Sequence, residues 1–208
     1  MPSVLETVEP AAEREQVTRA QSGDMDAFTE LVVRHQRQIH ALAYRLTGSV
    51  TEAEDLAQET FIRAWRQIGT FRGESAFHTW LCRIAVHLGL NWKARRERRR
   101  EDPIGELALP DRTVSNAAPA HEAVTDALQR LPADQRAAVV LTVYEGLNHA
   151  EAARVLGCAE TTVSWRVWLA RRSLRRWLSD LAPNVPRNAL RINGVRSILL
   201  TNWHALGE

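Results

Sequence analysis

The chain has 208 residues, 45% of them apolar, which is enough to bury one sizeable core or two smaller ones and argues against a disordered polymer. Its formal net charge is only +2, so attraction for a polyanion has to reside in local clusters, of which KARRERRR at 93 to 100 is the densest. No apolar stretch approaches bilayer length, and the opening MPSVLETVEPAAERE lacks the basic start and apolar run of a secretory leader, so a soluble cytoplasmic protein without membrane insertion is expected.

Residues 1 to 22 read as an N-terminal segment, and the first module as 23 to 100. From Asp24 to Leu46 the apolar residues Phe28, Leu31, Val32, Ile39, Leu42, Ala43 and Leu46 recur at helical spacing, with Asp24 or Asp26 as N-cap and an end at Thr47-Gly48. Thr51 and Glu54 have the spacing of a capping box, opening a helix with Leu56, Phe61, Ile62 and Trp65 on its apolar face and a stop near Gly69. After a loop at 70 to 74, Ser75 is placed to cap a long third helix carrying Phe77, Trp80, Leu81, Ile84, Ala85 and Leu88, which runs on into the basic block. His78 and Cys82 lie one turn apart on it, a spacing that suits two metal ligands. No second pair follows, so no metal and no cofactor are expected. Cys82 and Cys158, too few and too distant for a disulfide framework, read as buried thiols in a reducing compartment.

Residues 101 to 122 contain three prolines and no sustained periodicity, which predicts a linker. A second module follows over 123 to 180, with Val124, Leu128 and Leu131, then a helix after Pro132 carrying Val139, Val140, Leu141 and Val143 and ending at Glu145-Gly146. In NHAEAARVLGCAETTVSWRVWLARRSLRR, from Asn148, the spacing is that of a helix-turn-helix. Ala153 is small where two helices cross, Gly157 ends the first in a left-handed turn, and Val163 plugs the second into the core. The arginines that follow, Arg166, Arg171, Arg172, Arg175 and Arg176, suit a phosphate backbone; the alternative is a structural hairpin with a solvated basic face. Residues 181 to 208 form a tail whose apolar segment, Val195 to Trp203, is either flexible or docked. No strand pattern appears, so the architecture is all-α, two helical modules joined by a flexible linker.

With these pieces placed, the chain resembles an extracytoplasmic-function (group IV) sigma factor of bacterial RNA polymerase, from Asp24 to Leu178. Three blocks carry the resemblance in the family's order: AEDLAQETFIRAW at 53 to 65, FRGESAFHTWLCRIAVHLGLNW at 71 to 92, and LQRLPADQRAAVVLTVYEGLNHAEAARVLGC at 128 to 158. The first resembles the family's grip on core RNA polymerase, which implies that role for Asp55, Gln58, Glu59 and Arg63, all on one polar helix face; an ordinary solvated face is the alternative. The second resembles the part that opens and reads the minus-10 element, implying roles for Phe71, Arg72, Ser75, Ala76, Phe77, Trp80, His87, Asn91, Arg95 and Arg96. Phe77 and Trp80 are equally placed to be core. The third opens the minus-35 reader, implying Thr161, Thr162, Ser164, Trp165, Arg166, Trp168 and Arg171 as its contacts.

Departures from the family fall on readout. His87 stands where an Asn is common, Ser164 replaces a basic residue, and bulky Trp165 replaces a small one. Ser164 and Trp165 imply either a changed minus-35 preference, through apolar contact with a thymine methyl, or a surface for protein.

The 22-residue linker spans about 25 Å as a free coil and ~70 Å when stretched. Promoter elements one and a half turns apart are separated by ~50 Å. Bound to polymerase the linker must therefore be extended, while the free protein has the length to fold back on itself.

The resemblance implies a promoter-specific initiation factor with core polymerase and promoter DNA as partners and an anti-sigma factor as regulator. The alternative is a sigma-like decoy that binds an anti-sigma factor without initiating transcription. An ordinary helix-turn-helix repressor would not need the first two blocks, and no acid, base or nucleophile constellation suggests an enzyme.

Overall fold

Caps and turn residues divide the described residues into eight α-helices, with no strand among them. The computed structural model describes residues 10–101 and 119–178, without the side chains of 10, 11, 91–101 and 119–122. In chain order the helices are α1 (Pro10–Gln21), α2 (Met25–Thr47), α3 (Val50–Gln67), α4 (Phe77–Glu101), α5 (Pro119–Gln129), α6 (Ala133–Val139), α7 (His149–Leu156) and α8 (Glu160–Leu178).

Asp24 caps α2 by accepting from the Ala27 N–H at 3.0 Å, and that bond holds its carboxyl below the ordinary range. Gly48 ends α2 at φ 76°, the left-handed turn that favours glycine, its N–H donating to the Tyr44 carbonyl. The next cap differs from expectation. Ser49, not Thr51, begins α3, its hydroxyl accepting from the Glu52 N–H, because Gly48 leaves only Ser49 extended before the helix. Helix α4 starts at Phe77, and the Ser75 hydroxyl donates to the Ala76 carbonyl instead of capping.

Helices α2, α3 and α4 bury Leu31, Ile39, Leu42, Leu56, Leu81, Ala85 and Val86 between them. Ile62, expected on the apolar face of α3, points outward and is 45% exposed. Helix α1 was not anticipated by periodicity. It is anchored by two buried residues, Val17 and Ala20, by Glu13 2.8 Å from His35 of α2, and by the Gln21 amide, which donates to the Ile68 and Phe71 carbonyls.

The second module packs α5, α6 and α8 around Val124, Leu128, Leu131, Val139, Ala170 and Leu174. Helix α5 begins at Pro119, ahead of the expected Ala123. Helix α6 runs on into a π-helical turn, Val140–Tyr144, closed by the Glu145 N–H donating to the Val140 carbonyl at 3.1 Å. This extra residue per turn aims Glu145 at the first module.

The two modules share a continuous core in which Leu42, Leu81 and Cys82 belong to the same cluster as Ala137, Leu141 and Ala152. Polar contacts complete the seam. Arg136, 2% exposed, donates to the Leu46 carbonyl at 2.7 Å, to the Leu131 carbonyl at 3.3 Å and to the Gln129 side-chain oxygen. The Gln129 amide in turn donates to the Arg45 carbonyl. The Arg45 guanidinium lies 4.3 Å over the Tyr144 ring, and burial pushes the Tyr144 hydroxyl well above its usual range. In effect the last turn of α2, where orphan carbonyls collect, is capped by the second module.

Candidate nucleic-acid interface

The helix-turn-helix forms as its sequence requires. Asn148 and Glu151 make a reciprocal capping box on α7, Gly157 ends it at φ 64°, Ala153 is buried at the crossing, and Val163 is fully buried in the core. Val163, Val167, Ala170 and Leu174 turn one side of α8 inward. Thr161, Ser164, Trp165, Trp168, Arg172 and Arg175 are thereby left on the outer side.

Trp165 and Trp168, 57% and 50% exposed, stack on each other with centroids 5.0 Å apart and planes 15° from parallel. The Arg172 guanidinium sits 5.7 Å from the Trp168 ring. Aromatic faces this large cost free energy when left in water, and stacking removes part of that exposure. The sequence places both tryptophans, with Arg166 and Arg171, among the expected minus-35 contacts. Arg171 is half-buried, and burial followed by the nearby Arg175 charge lowers its pKa, whereas Arg172, one position on, is exposed. Arg172, already among the arginines that suit a phosphate backbone, stands at i+4 from Trp168.

Other expected contacts sort similarly. Thr161 and Ser164 are exposed and Thr162 is half-buried. Ser164 donates to the Glu160 carbonyl and lies 2.8 Å from His149 on α7, which fixes the crossing of the two helices. Arg166 does not extend freely: it pairs with Asp134 at 3.0 Å and lies 3.6 Å from the half-buried Cys158 sulfur.

In the first module, Phe71, Phe77 and Trp80 form a closed aromatic trio with centroids 5.4 to 5.5 Å apart. Phe77 is buried, while Phe71 and Trp80 are half-buried. Phe77 is thus core, and Trp80 is both core and surface. The Gln21 amide on the Phe71 carbonyl sets where the loop begins, with Arg72 and Ala76 exposed and Ser75 half-buried beyond it. His87 is exposed on α4, its ring nitrogen 2.7 Å from the Arg83 carbonyl. Asn91, Arg95 and Arg96 continue α4, but their side chains lie outside the described residues, as does the whole tail from 179 to 208.

Asp55, Gln58 and Arg63 are exposed and Glu59 half-buried, all on the outer side of α3, where Glu59 and Arg63 pair at 2.6 Å. Exposed Ile62 lies among them and adds an apolar centre that sequence reading had assigned inward. No helix among the described residues is long and apolar enough to cross a membrane.

Comparison with known proteins matches this arrangement twice along the chain. The profile of Sigma-70 region 2 matches residues 31–100, and that of Sigma-70, region 4 matches residues 121–174. The RNA polymerase sigma-H factor of Pseudomonas aeruginosa is 37% identical over 179 residues, covering 79% of this chain and 93% of that protein. The ECF RNA polymerase sigma-E factor of Haemophilus influenzae is 36% identical over 180 residues, covering 79% and 94%. Among solved structures, the sigma factor RpoE in complex with the anti-sigma factor NepR from Bartonella quintana has a TM-score of 0.61 at 28% identity, covering 73% of this chain and 96% of that one. CnrH in complex with the cytosolic domain of CnrY has a TM-score of 0.62 at 29% identity, covering 81% and 98%. The chain therefore belongs to the sigma-70 family, as a sigma factor of the extracytoplasmic-function type carrying regions 2 and 4.

Proposed function

We propose that the first module, 23 to 100, grips core RNA polymerase and reads and opens the minus-10 element, that 123 to 180 reads the minus-35 element, and that 101 to 122 spans between them. The observation that carries this is the co-occurrence, in one chain and in order, of the two sigma-70 regions, because a lone helix-turn-helix regulator has no use for region 2. Two weak DNA readers tethered by one linker become selective, since the first contact raises the effective concentration of the second.

Asp55, Gln58, Glu59 and Arg63 with Ile62 at their centre form the polymerase face: a polar ring around an apolar anchor suits a protein partner. Trp80 and Phe71 offer stacking edges for an unpaired base, supported from behind by Phe77. Trp165, Trp168 and Arg172 form the minus-35 face, aromatic where base methyls are met and cationic where phosphates are. The chain performs no catalytic chemistry of its own and acts in the cytoplasm, where its polymerase is.

An anti-sigma factor is the expected regulator, since a solved relative is complexed with one. A decoy without transcriptional activity is not favoured, because the close relatives are RNA polymerase sigma factors. Changing both Asp55 and Glu59 to Lys tests the assignment: association with core polymerase is expected to be lost while helical content stays at the wild-type level. Co-purification of the double variant at wild-type yield would remove the α3 face from the polymerase contact.

A further inference from the structure

At the seam between the modules three side chains converge on one point. His78 and Cys82, at i and i+4 on α4, bring Nε2 and Sγ to 3.4 Å from each other, and Glu145, presented by the π-helical turn of the second module, brings Oε2 to 3.1 Å from the same Nε2. All three ligand atoms lie within 4.8 Å of one another. Tetrahedral zinc with ordinary bond lengths separates a thiolate sulfur from an imidazole nitrogen by about 3.5 Å and that nitrogen from a carboxylate oxygen by about 3.4 Å. The two observed separations are within a few tenths of an ångström of these, and the third pair, Sγ to the carboxylate, lies within 4.8 Å where the same geometry has about 3.6 Å.

Neither neutral tautomer of His78 satisfies the whole cluster. If His78 is protonated on Nδ1, its Nε2 lone pair accepts from the thiol but points at a carboxylate lone pair, and the Nδ1–H is buried without a partner among the described residues. If it is protonated on Nε2, the carboxylate is satisfied, but the thiol has lost its acceptor and the buried Nδ1 lone pair is orphaned. A divalent cation takes the thiolate, imidazole and carboxylate lone pairs at once, with the Nδ1–H the one group left without a partner among the described residues. The wider setting fits as well. Glu145 keeps its other oxygen for Arg45, at 3.7 Å, the kind of outer contact that orients a ligating carboxylate. Cys82 is fully buried, while the His78 side chain is 21% exposed, so the cluster has a dry base and an open side.

We propose that His78, Cys82 and Glu145 form a zinc-type cation site, three protein ligands with a fourth position open to water, that bridges the two modules and holds them closed when filled. On binding, the Cys82 thiol gives up its proton to solvent and the sulfur electron pair forms the metal bond. Two ligands belong to the first module and one to the second, so metal bound here opposes the separation that promoter elements ~50 Å apart require. Metal binding itself does not rest on the sigma-factor reading; its consequence for polymerase does.

The test uses the full chain, stripped with chelator and titrated with Co2+, followed by Zn2+ competition, and in parallel binding to core polymerase with and without Zn2+. The expected result is one equivalent of Co2+ with a thiolate-to-metal charge-transfer band, and at least about tenfold weaker binding in both Cys82→Ala and Glu145→Gln. Zn2+ should weaken polymerase binding by wild type and leave both variants indifferent to it. Cys82→Ala keeps the Arg45–Glu145 pair, so its metal readout is separate from any loosening of the seam. Absence of the thiolate band, or a band unchanged in Glu145→Gln, would overturn the site. The band together with polymerase affinity insensitive to Zn2+ would overturn the latch. A wild-type protein that shows the band yet never binds polymerase, with or without metal, would support the site and count against the sigma-factor reading instead.

Discussion

Replacing Arg136 by Met tests whether one buried guanidinium holds the seam. Met keeps most of the unbranched stem, so little packing is lost, and the change isolates the hydrogen bonds. Those bonds end on neutral acceptors, the carbonyls of Leu46 and Leu131 and the Gln129 side chain, none of which leaves with the arginine. A buried charge exchanged for an apolar residue can be neutral when its partners are removed too; here they stay, in a position that is 2% exposed. Leaving the Leu46 and Leu131 carbonyls without a donor costs about 1–3 kcal/mol for each, and the longer bond to Leu131 argues for the low end there. A net loss of about 3 kcal/mol follows, equivalent to a melting temperature lower by about 6–12 °C for a chain of this size. Circular dichroism melts measure it, with small-angle scattering of the native state as a second readout, in which the radius of gyration rises as the modules part. Arg136→Lys should fall between, because one ammonium cannot reach three acceptors in a plane. If Arg136→Met melts within about 2 °C of wild type and keeps its radius of gyration, the guanidinium is not what joins the modules.

Gly48 and Gly157 both occupy left-handed caps, at φ 76° and 64°, but an added Cβ meets nothing within 4 Å at Gly157 and lies 2.6 Å from the Gln129 side chain at Gly48. Gly157→Ala should therefore cost about 1 kcal/mol and Gly48→Ala about 2 or more in urea unfolding, and equal losses would refute the contact. Trp165→Ser should change base preference at one or two minus-35 positions by up to about 1–3 kcal/mol in selection from a randomised site, without lowering the melting temperature. A large drop in melting temperature with unchanged preference would make Trp165 a packing residue. Arg172→Ala should flatten the salt dependence of DNA binding by about 0.9 in slope, whereas Arg166→Ala should leave the slope and cost stability through Asp134. The reverse pattern would exchange their roles. The hydrogen bond from His35 holds the Glu13 carboxyl below its ordinary value of 4.5, so its stabilisation is present above that pH and fades as pH falls through the depressed value. Urea midpoints of Glu13→Gln should accordingly lie below wild type near neutrality and converge with it in acid, and a gap independent of pH would exclude the linkage.

Local signals determined much of this protein. Asp24, Gly48, Asn148 and Gly157 act as caps within a few residues of themselves, and the 3.6-residue period of Leu31, Ile39, Leu42 and Leu46 needs only one helix to be visible. The helix-turn-helix was legible for the same reason, as its three diagnostic positions are bound by one short turn. Where two local signals compete, the sequence is ambiguous: Ser49 and Thr51 are both cap residues, and the position of Gly48 decided between them. Ile62 points outward where periodicity places it inward, because one step along a helix turns a side chain by about 100°, and only the packed neighbours fix the phase.

The tertiary structure alone decided the seam. Arg136 and Leu46 are 90 residues apart, and Glu145 and His78 67, and no periodicity reports on such pairs. A basic residue in the run PADQRAA reads as surface in the sequence; only when α6 docks on the last turn of α2 does the guanidinium of Arg136 become the donor for orphan carbonyls. His78 and Cys82 as a lone pair excluded a metal site in the sequence. The third ligand came from the other module through a π-helical turn, and that is a property of the folded chain.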